Sequence, residues 1–550
     1  MPWRPQLLLA GGAALAFVLP AWPTISASAA QPEPASATDP VADVSTRIAE
    51  HLKEPTPAVD GAPLRERDLL VRFYARRGYR PAWTVPGTAT ALHHAVLDAY
   101  THGLRPEDYH ADALAAHARA NDTDAADLRD LLHSDAFLHL GRHLGGGAVD
   151  PRGQHRGYAR GDSAPDPAEA LEALLPDGDP AAALAALAPP HPEYGRLREA
   201  LARLRAEPFE AACPGLPDGP LVRPGQRHAR VVKLRACLTG GADAPPRPEA
   251  AARLDPALTE ALRNFQRRHH LAADGILGPL TTAALVASSN RRVERLRANL
   301  ERWRWQPRDF GRRAVRVDIP QYRLRAFAGP APRLEMAVVV GCRGWRTPLV
   351  HSAIEEVVLN PAWNVPRSIF VKEMLPSARR DAGYFARHGL ELTEERDGIR
   401  HPVDPASVDW ASVDPERANF RARQPPGPRN PLGKVKFIFP NAYGVYLHGT
   451  PGRAALEHPV RALSHGCVRV EDERSLARFA LAPDPAWTDQ RLDDALKNPA
   501  NERRVKLLEP LPVHLLFFTA EVDAEGALSF VPDPYGWDAR LVDALDAGPH

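Results

Sequence analysis

The chain has 550 residues, of which 44% are apolar, 25% charged and 57 proline, with a formal net charge of +1. Ordinary domains hold roughly 100–200 residues, so this length predicts two to four of them, and the composition excludes a fibrous or wholly disordered protein. Near-neutral charge argues against a general polyanion binder, so no nucleic-acid partner is expected. Residues 1–30 have the form of an export signal. Arg4 precedes an apolar run from Leu7 to Leu19, and small-residue cleavage sites follow at Ala27-Ser28-Ala29 and Ser28-Ala29-Ala30. The run is short and interrupted by Gly11 and Gly12, which favours a cleaved signal over its rival, an uncleaved N-terminal membrane anchor. The mature protein is therefore expected outside the cytoplasm, where disulfides persist.

Residues 31–61 are rich in Ala, Pro and Asp and read as a flexible lead-in. From 62 to 215 the pattern is helical. Leu69, Leu70, Phe73 and Tyr74 recur at helix-face spacing, and helices are predicted at 89–101, 124–145, 167–188 and 193–206. This stretch carries no catalytic constellation and reads as an all-helical scaffold. Four cysteines are too few for a disulfide framework in so long a chain. Cys213 and Cys237 could bridge, or could be two separate small hydrophobes.

A small module follows at 219–289, with helices predicted over Arg230–Leu238, Pro256–His270 and from Leu280. Gly275 and Gly278 suit a tight turn between the last two. The run from Phe265 through Leu271, with Asp274-Gly275-Ile276-Leu277-Gly278 after it, resembles the three-helix peptidoglycan-binding domain. Residues 290–310 read as a charged connecting helix ending in Trp303 and Trp305. The period then changes from 3.6 to 2. Strands are predicted at 314–319, 322–327, 336–340, 354–359, 434–439, 444–448 and 513–518, which makes 311–520 a mainly β domain, with 521–550 a C-terminal extension. Inside it, 372–428 interrupts the strand pattern and is rich in Pro and Asp. It is expected to pack sparsely, and a lid over the cleft is weighed against an excursion without a role.

Two segments carry chemistry: Val445-Tyr446-Leu447-His448-Gly449-Thr450 and Ser464-His465-Gly466-Cys467-Val468-Arg469-Val470. A thiol titrates near pH 8.5, so Cys467 needs a base. A histidine can take its proton and leave a thiolate–imidazolium pair. A helix predicted from Asp472 is expected to bring its positive end near the sulfur. Gly466 permits a sharp turn, and its amide and that of Cys467 are expected to face an oxyanion. Both His448 and His465 compete as base. His448, on a strand end, is favoured, and His465 would orient the loop or line the oxyanion pocket. Tyr446 and Trp363 are expected pocket walls. A lone buried cysteine is more often a core residue than a nucleophile, but the His-Gly-Cys turn, the upstream histidine and the export signal reverse that preference. A zinc site from His448, His465 and Cys467 would need a fourth ligand and more regular spacing. No metal or organic cofactor is expected.

His448, fifteen intervening residues and Ser464-His465-Gly466-Cys467 resemble the signature of the L,D-transpeptidase (YkuD-type) domain. The segments 423–433 and 360–366, which include Trp363 and Asn364, are similar to its large multidomain Gram-negative subgroup, as is the order scaffold, peptidoglycan-binding module, catalytic domain. The resemblance implies a multidomain α+β protein of the periplasm whose catalytic residues are Cys467, His448, His465, Gly449 and Gly466. Of these, Gly449 would orient the base through its carbonyl. Ser464, Tyr446, Arg469, Trp363 and Asn364 would bind substrate. Arg469 stands where the family usually has Asn, a departure familiar in that subgroup. The implied reaction attacks a peptidoglycan tetrapeptide stem at its third residue and forms 3-3 cross-links in cell wall biogenesis. Carbapenem β-lactams are the implied inhibitors, and other cell-wall enzymes as partners stay unidentified. An L,D-carboxypeptidase using water as acceptor and a non-catalytic wall-binding scaffold are the alternatives.

Overall fold

The computed structural model describes residues 40–119, 125–155, 157–159, 164–175, 178–206, 213–238, 251–268, 271–286, 289–498 and 502–548. The export signal at 1–30, with Arg4 and the run Leu7–Leu19, lies outside these residues, as do His269 and His270. No helix among the described residues is long and apolar enough to cross a membrane.

The expected flexible lead-in is largely ordered. Pro40–His51 is a helix, and Ala58–Val59 (β1) pairs antiparallel with Ala62–Pro63 (β2). Val44, Ile48 and Leu52 lie at i, i+4 spacing, and all three join the core of the helical region. Arg47 and His51 both reach the buried Asp127. Helices follow at Arg67–Arg76, Thr88–Leu97 and Ala126–Gly146. The single helix predicted over 167–188 is two, Pro167–Leu174 and Pro180–Leu187. Each starts with an Asp-Pro pair. Asp166 caps the amide of Ala168, Asp179 caps that of Ala181, and a proline at N1 begins a helix but breaks one in its interior. Pro192–Ala206 completes the bundle.

The small module has its own core, including Leu234, Leu258, Leu262, Phe265, Leu277 and Leu285. Its helices are Ala229–Leu238, Pro256–Arg268 and Pro279–Val286. Cys213 and Cys237 form a disulfide, and the Cys213 amide donates to the carbonyl of Leu285, so the module gathers in residues N-terminal to 219. Gly275 has φ +73°, and a Cβ there would stand 2.7 Å from Thr259 Cγ2, so the turn admits only glycine.

Helix Ser289–Arg304 reads as charged, yet it joins the two largest cores. Leu296, Leu300 and Trp303 face the helical core, while Ala298 and Trp305 face the β core. Several of its buried polar side chains find partners across the seam. Arg302 bonds Asp538 at 2.5 Å, Asn299 bonds Thr519, and Glu301 accepts from the Val149 amide at 2.8 Å. The stretch 521–550, expected as an extension, contributes to the same seam. Val522 and Phe530 enter the helical core, and helix Trp537–Asp546 places Trp537, Leu541 and Leu545 in the β core.

The β domain is built from β3 (Arg313–Asp318), β4 (Arg323–Ala328), β5 (Pro332–Gly341) and β6 (Val350–Leu359), joined later by β11 to β15. β7 (Trp363–Asn364) precedes the insertion, which holds β8 (Glu391–Arg396), β9 (Ile399–Val403) and β10 (Phe420–Gln424). After it come β11 (Val435–Ile438), β12 (Leu447–His448), β13 (Ala462–Ser464), β14 (Val468–Val470) and β15 (Arg503–Leu516). The strand order is β13-β5-β14-β12-β11-β6-β15-β3-β4, and β4 also pairs with β5, which closes the sheet on itself. Closure leaves only the short β13 at an edge and encloses a core of alternate residues such as Val315, Val338, Val357, Phe437, Leu447 and Val468. Beyond it, Ala520–Val522 (β16) and Leu528–Phe530 (β17) form a hairpin.

The insertion does not pack sparsely. It folds with β7 as a second sheet, β7-β10-β8-β9, over its own core of Phe370, Met374, Leu375, Phe385, Trp410 and Ala422. Helical turns over 367–387 come in short pieces.

Candidate active site

The site forms where β12 and β14 run parallel, with Leu447 beside Val468 and His448 beside Arg469. Because side chains alternate along a strand, Leu447 and Val468 enter the core while His448 and Arg469 share the other face. The neighbouring strand β11 places Lys436 opposite His448. Cys467 sits half-buried on the turn from β13 into β14. With Ser464, His465, Gly466, Arg469, Tyr446, His448 and Trp363 it lines a cavity of about 620 Å³. Asn364, one place on from Trp363, is exposed and does not line it.

His448 is buried, and its Nδ1 lies 2.7 Å from the carbonyl of Gly449. Donation to that carbonyl leaves Nε2 as the ring's acceptor. Burial, with Arg469 and Lys436 adding to it, depresses the imidazole to a pKa of about 3, against the pull of the Gly449 and Pro431 carbonyls. Burial likewise raises the Cys467 thiol, opposed by Tyr446, Lys436 and Arg469. At neutral pH both groups are thus uncharged, in place of the expected thiolate–imidazolium pair. The helix begins at Glu473, with Asp472 as its cap, and strand β14 lies between it and Cys467 in the sequence. Lys436 and Arg469 bring positive charge toward the sulfur. The alkylation rate of Cys467 should accordingly climb with pH toward the raised thiol pKa, with no reactive shoulder between roughly pH 3 and 7. A rate already at its plateau near pH 5 would mean a preformed ion pair.

The turn is pinned from below. Ser464 Oγ donates to the Cys467 carbonyl at 2.5 Å and accepts from the Gly466 amide at 3.1 Å. That amide, expected to face an oxyanion, is therefore occupied. Gly466 has φ +108°, which favours glycine, and its carbonyl accepts from Thr347 Oγ1 at 2.8 Å. His465 lines the cavity, but its ring is engaged elsewhere. Its Nε2 bonds Glu373 of the insertion, and its ring packs edge-on to Trp345 at 5.5 Å. Lys372 stands 4.6 Å from the same Trp345 ring, so the insertion reaches the catalytic turn through Glu373 and its Trp345 neighbour through Lys372. Among the described residues, no group of three or more His, Cys, Asp or Glu is placed to hold a metal ion.

Sequence reasoning missed Lys436, Trp345 and Glu373. The alternation of Val435 and Phe437 with Lys436 signals a face but not the strand it faces, and the other two arrive only through tertiary contacts.

Residues 312–488 match the L,D-transpeptidase catalytic domain family, 68–201 match a scaffold domain, and 234–285 match a "putative peptidoglycan binding domain". The chain is thus a multidomain α+β protein carrying an L,D-transpeptidase catalytic domain. A "putative L,D-transpeptidase" of Haemophilus influenzae is 34% identical over 249 residues, 45% of this chain and 49% of that protein. The chain therefore spans about half the length of the curated relative it matches. Among solved structures, an L,D-transpeptidase from Xylanimonas cellulosilytica is similar at 15% identity and a TM-score of 0.17, covering 54% of this chain and 99% of that one. An L,D-transpeptidase from Stackebrandtia nassauensis is similar at 13% and 0.18, covering 55% and 96%.

Proposed function

We propose that this protein is a cysteine-dependent L,D-transpeptidase that forms 3-3 cross-links in peptidoglycan. The observation that carries this reading is the parallel register of β12 and β14, which brings His448, tethered to Gly449, into one cavity with Cys467. His448 Nε2 takes the thiol proton as the sulfur attacks the carbonyl of the third stem residue, a meso-diaminopimelate. The Cys467 amide faces the resulting oxyanion, since Ser464 holds that of Gly466. The imidazolium returns the proton to the departing D-alanine amine, leaving a thioester. The side-chain amine of a second stem attacks it, its proton passes to His448, and the sulfur leaves and is reprotonated. Arg469 and Tyr446 bind the stem, with Trp363 as a wall. No cofactor enters this scheme. A carbapenem, whose strained amide is an acyl donor, would acylate the same thiol. A peptidoglycan substrate places the protein outside the cytoplasm, in the periplasm.

The test is incubation of the full chain with purified tetrapeptide muropeptides, read by mass spectrometry. Dimers joined between diaminopimelates, with one D-alanine lost per link, are expected. Tripeptides alone would make it an L,D-carboxypeptidase, and unchanged substrate with retained sacculus binding would leave a non-catalytic scaffold.

The insertion at 372–428 acts in this reading as a lid that shields the thioester from water. Shortening 399–424 would remove β9, β10 and Trp410, and with them the insertion's core, so a milder change suits the test. Glu373→Gln releases the tie to His465. An exposed ion pair contributes only ~0.2–1 kcal/mol, so the ratio of hydrolysis to cross-linking should rise by about 1.4- to fivefold. An unchanged ratio, together with unchanged hydrogen exchange across 372–428 on β-lactam acylation, would remove the lid.

A further inference from the structure

Lys436 is half-buried on β11, on the face opposite its core neighbours Val435 and Phe437. Its ammonium lies 3.8 Å from the centre of the Tyr446 ring, and Tyr446 in turn packs on His448 at 5.6 Å. A buried cation normally has a carboxylate partner. Lys436 forms no ion pair among the described residues. The two carboxylates whose fields reach it are engaged elsewhere. Glu356 is held by Arg504 through two bonds of 2.7 Å, and Glu502 accepts from the Ala362 amide.

We propose that Lys436 is a positioning residue whose counter-charge is the ionised sulfur of Cys467, so that with Tyr446 it lowers the cost of forming the thiolate. When His448 takes the proton from Sγ, the new negative charge meets a cation already partly desolvated and held in place on the tyrosine ring. No reorganisation is needed at that moment. Among the charges around Lys436, Cys467 is the first to support its protonated form, against burial, which lowers it. The charged and titratable groups around the site come from several elements. Lys436 comes from β11, Tyr446 and His448 lie on β12 or just before it, Arg469 comes from β14 and His465 from the turn itself. Arg346 of the β5–β6 connection lines the same cavity, and Glu373 of the insertion is held on His465.

The proposal deepens the acyl-transfer reading, but its test needs no substrate. Alkylation of Cys467 by iodoacetamide is followed against pH in the full chain, with the Cys467 peptide resolved from that of the other free cysteine, Cys342, by mass spectrometry. Lys436→Met should move the inflection upward by about one unit, a roughly tenfold loss of rate at neutral pH. Lys436→Arg should restore most of the wild-type profile. Lys436→Gln, with a polar end for the half-buried position, serves if the Met variant does not fold, and should shift as Met does. A profile that stays put in the neutral variants, or that moves equally in the Arg variant, overturns the proposal. If the profile shifts as expected while wild-type protein yields no cross-linked product, the charge role stands and the transpeptidase reading falls.

Discussion

Cys467→Ala is expected to abolish turnover while leaving the fold intact. The change removes one half-buried sulfur from a turn whose shape is set elsewhere, by Ser464 on Gly466 and Cys467 and by Thr347 on Gly466. No neighbouring side chain can supply a second nucleophile in the same place. His448→Ala should cost roughly 10²–10⁴ in kcat, the usual range for a lost general base, with the thiol pushed up by burial and left without an acceptor. Groups that act as one unit are not additive, so the double variant should be no worse than Cys467→Ala alone. His465→Ala should cost far less, because its Nε2 is held by Glu373. Product yield from muropeptides, measured beside thermal unfolding, checks the series. More than trace activity in Cys467→Ala would remove the nucleophile, and equal mild losses from the two histidines would remove His448 as sole base.

Glu301→Ala should destabilise the protein by about 3–5 kcal/mol, the range for breaking a buried ion pair from one side. Glu301 and Arg304 are both fully buried in helix Ser289–Arg304. The Glu301 carboxylate bonds Arg304 at 3.1 Å, the Val149 amide at 2.8 Å and the Trp305 indole at 3.2 Å. Removing it strands the Arg304 charge in the interior and leaves the Val149 amide without that acceptor. Arg304 also donates to the His102 carbonyl, so the loss falls on the seam between the helical region and the β domain. Denaturant unfolding should show the drop, and a second change to an uncharged residue at Arg304 should recover part of it. A loss below about 1 kcal/mol would mean that water reaches the pair.

Much of the architecture was legible as pattern. The switch from a 3.6 to a 2 period at the start of β3 needed only local spacing, as did the helices of the small module and the glycine of its turn. One local signal was overlooked. Asp397-Gly398, with φ of 52° and 76°, joins β8 to β9 as a tight hairpin, and Asp-Gly is a hairpin signal readable without a structure. The Val44–Ile48–Leu52 spacing that docks the supposed lead-in was readable in the same way.

The residue types of the site, a cysteine on a glycine turn with a histidine on a strand end, were determined by the sequence alone, because the chemistry of acyl transfer constrains type and spacing. Tertiary structure decided what those residues experience. Burial makes the thiol and the imidazole both neutral, and burial depends on what the rest of the chain stacks around them. The parallel pairing of β12 with β14 joins segments that no local period links and sets His448 beside Arg469, while the antiparallel pairing of β11 with β12 sets it across from Lys436. Helix Ser289–Arg304 shows the same division. Its charges predict a solvated helix, and only the partners supplied by Val149, Thr519 and Asp538, from distant parts of the chain, allow it to be buried between two cores.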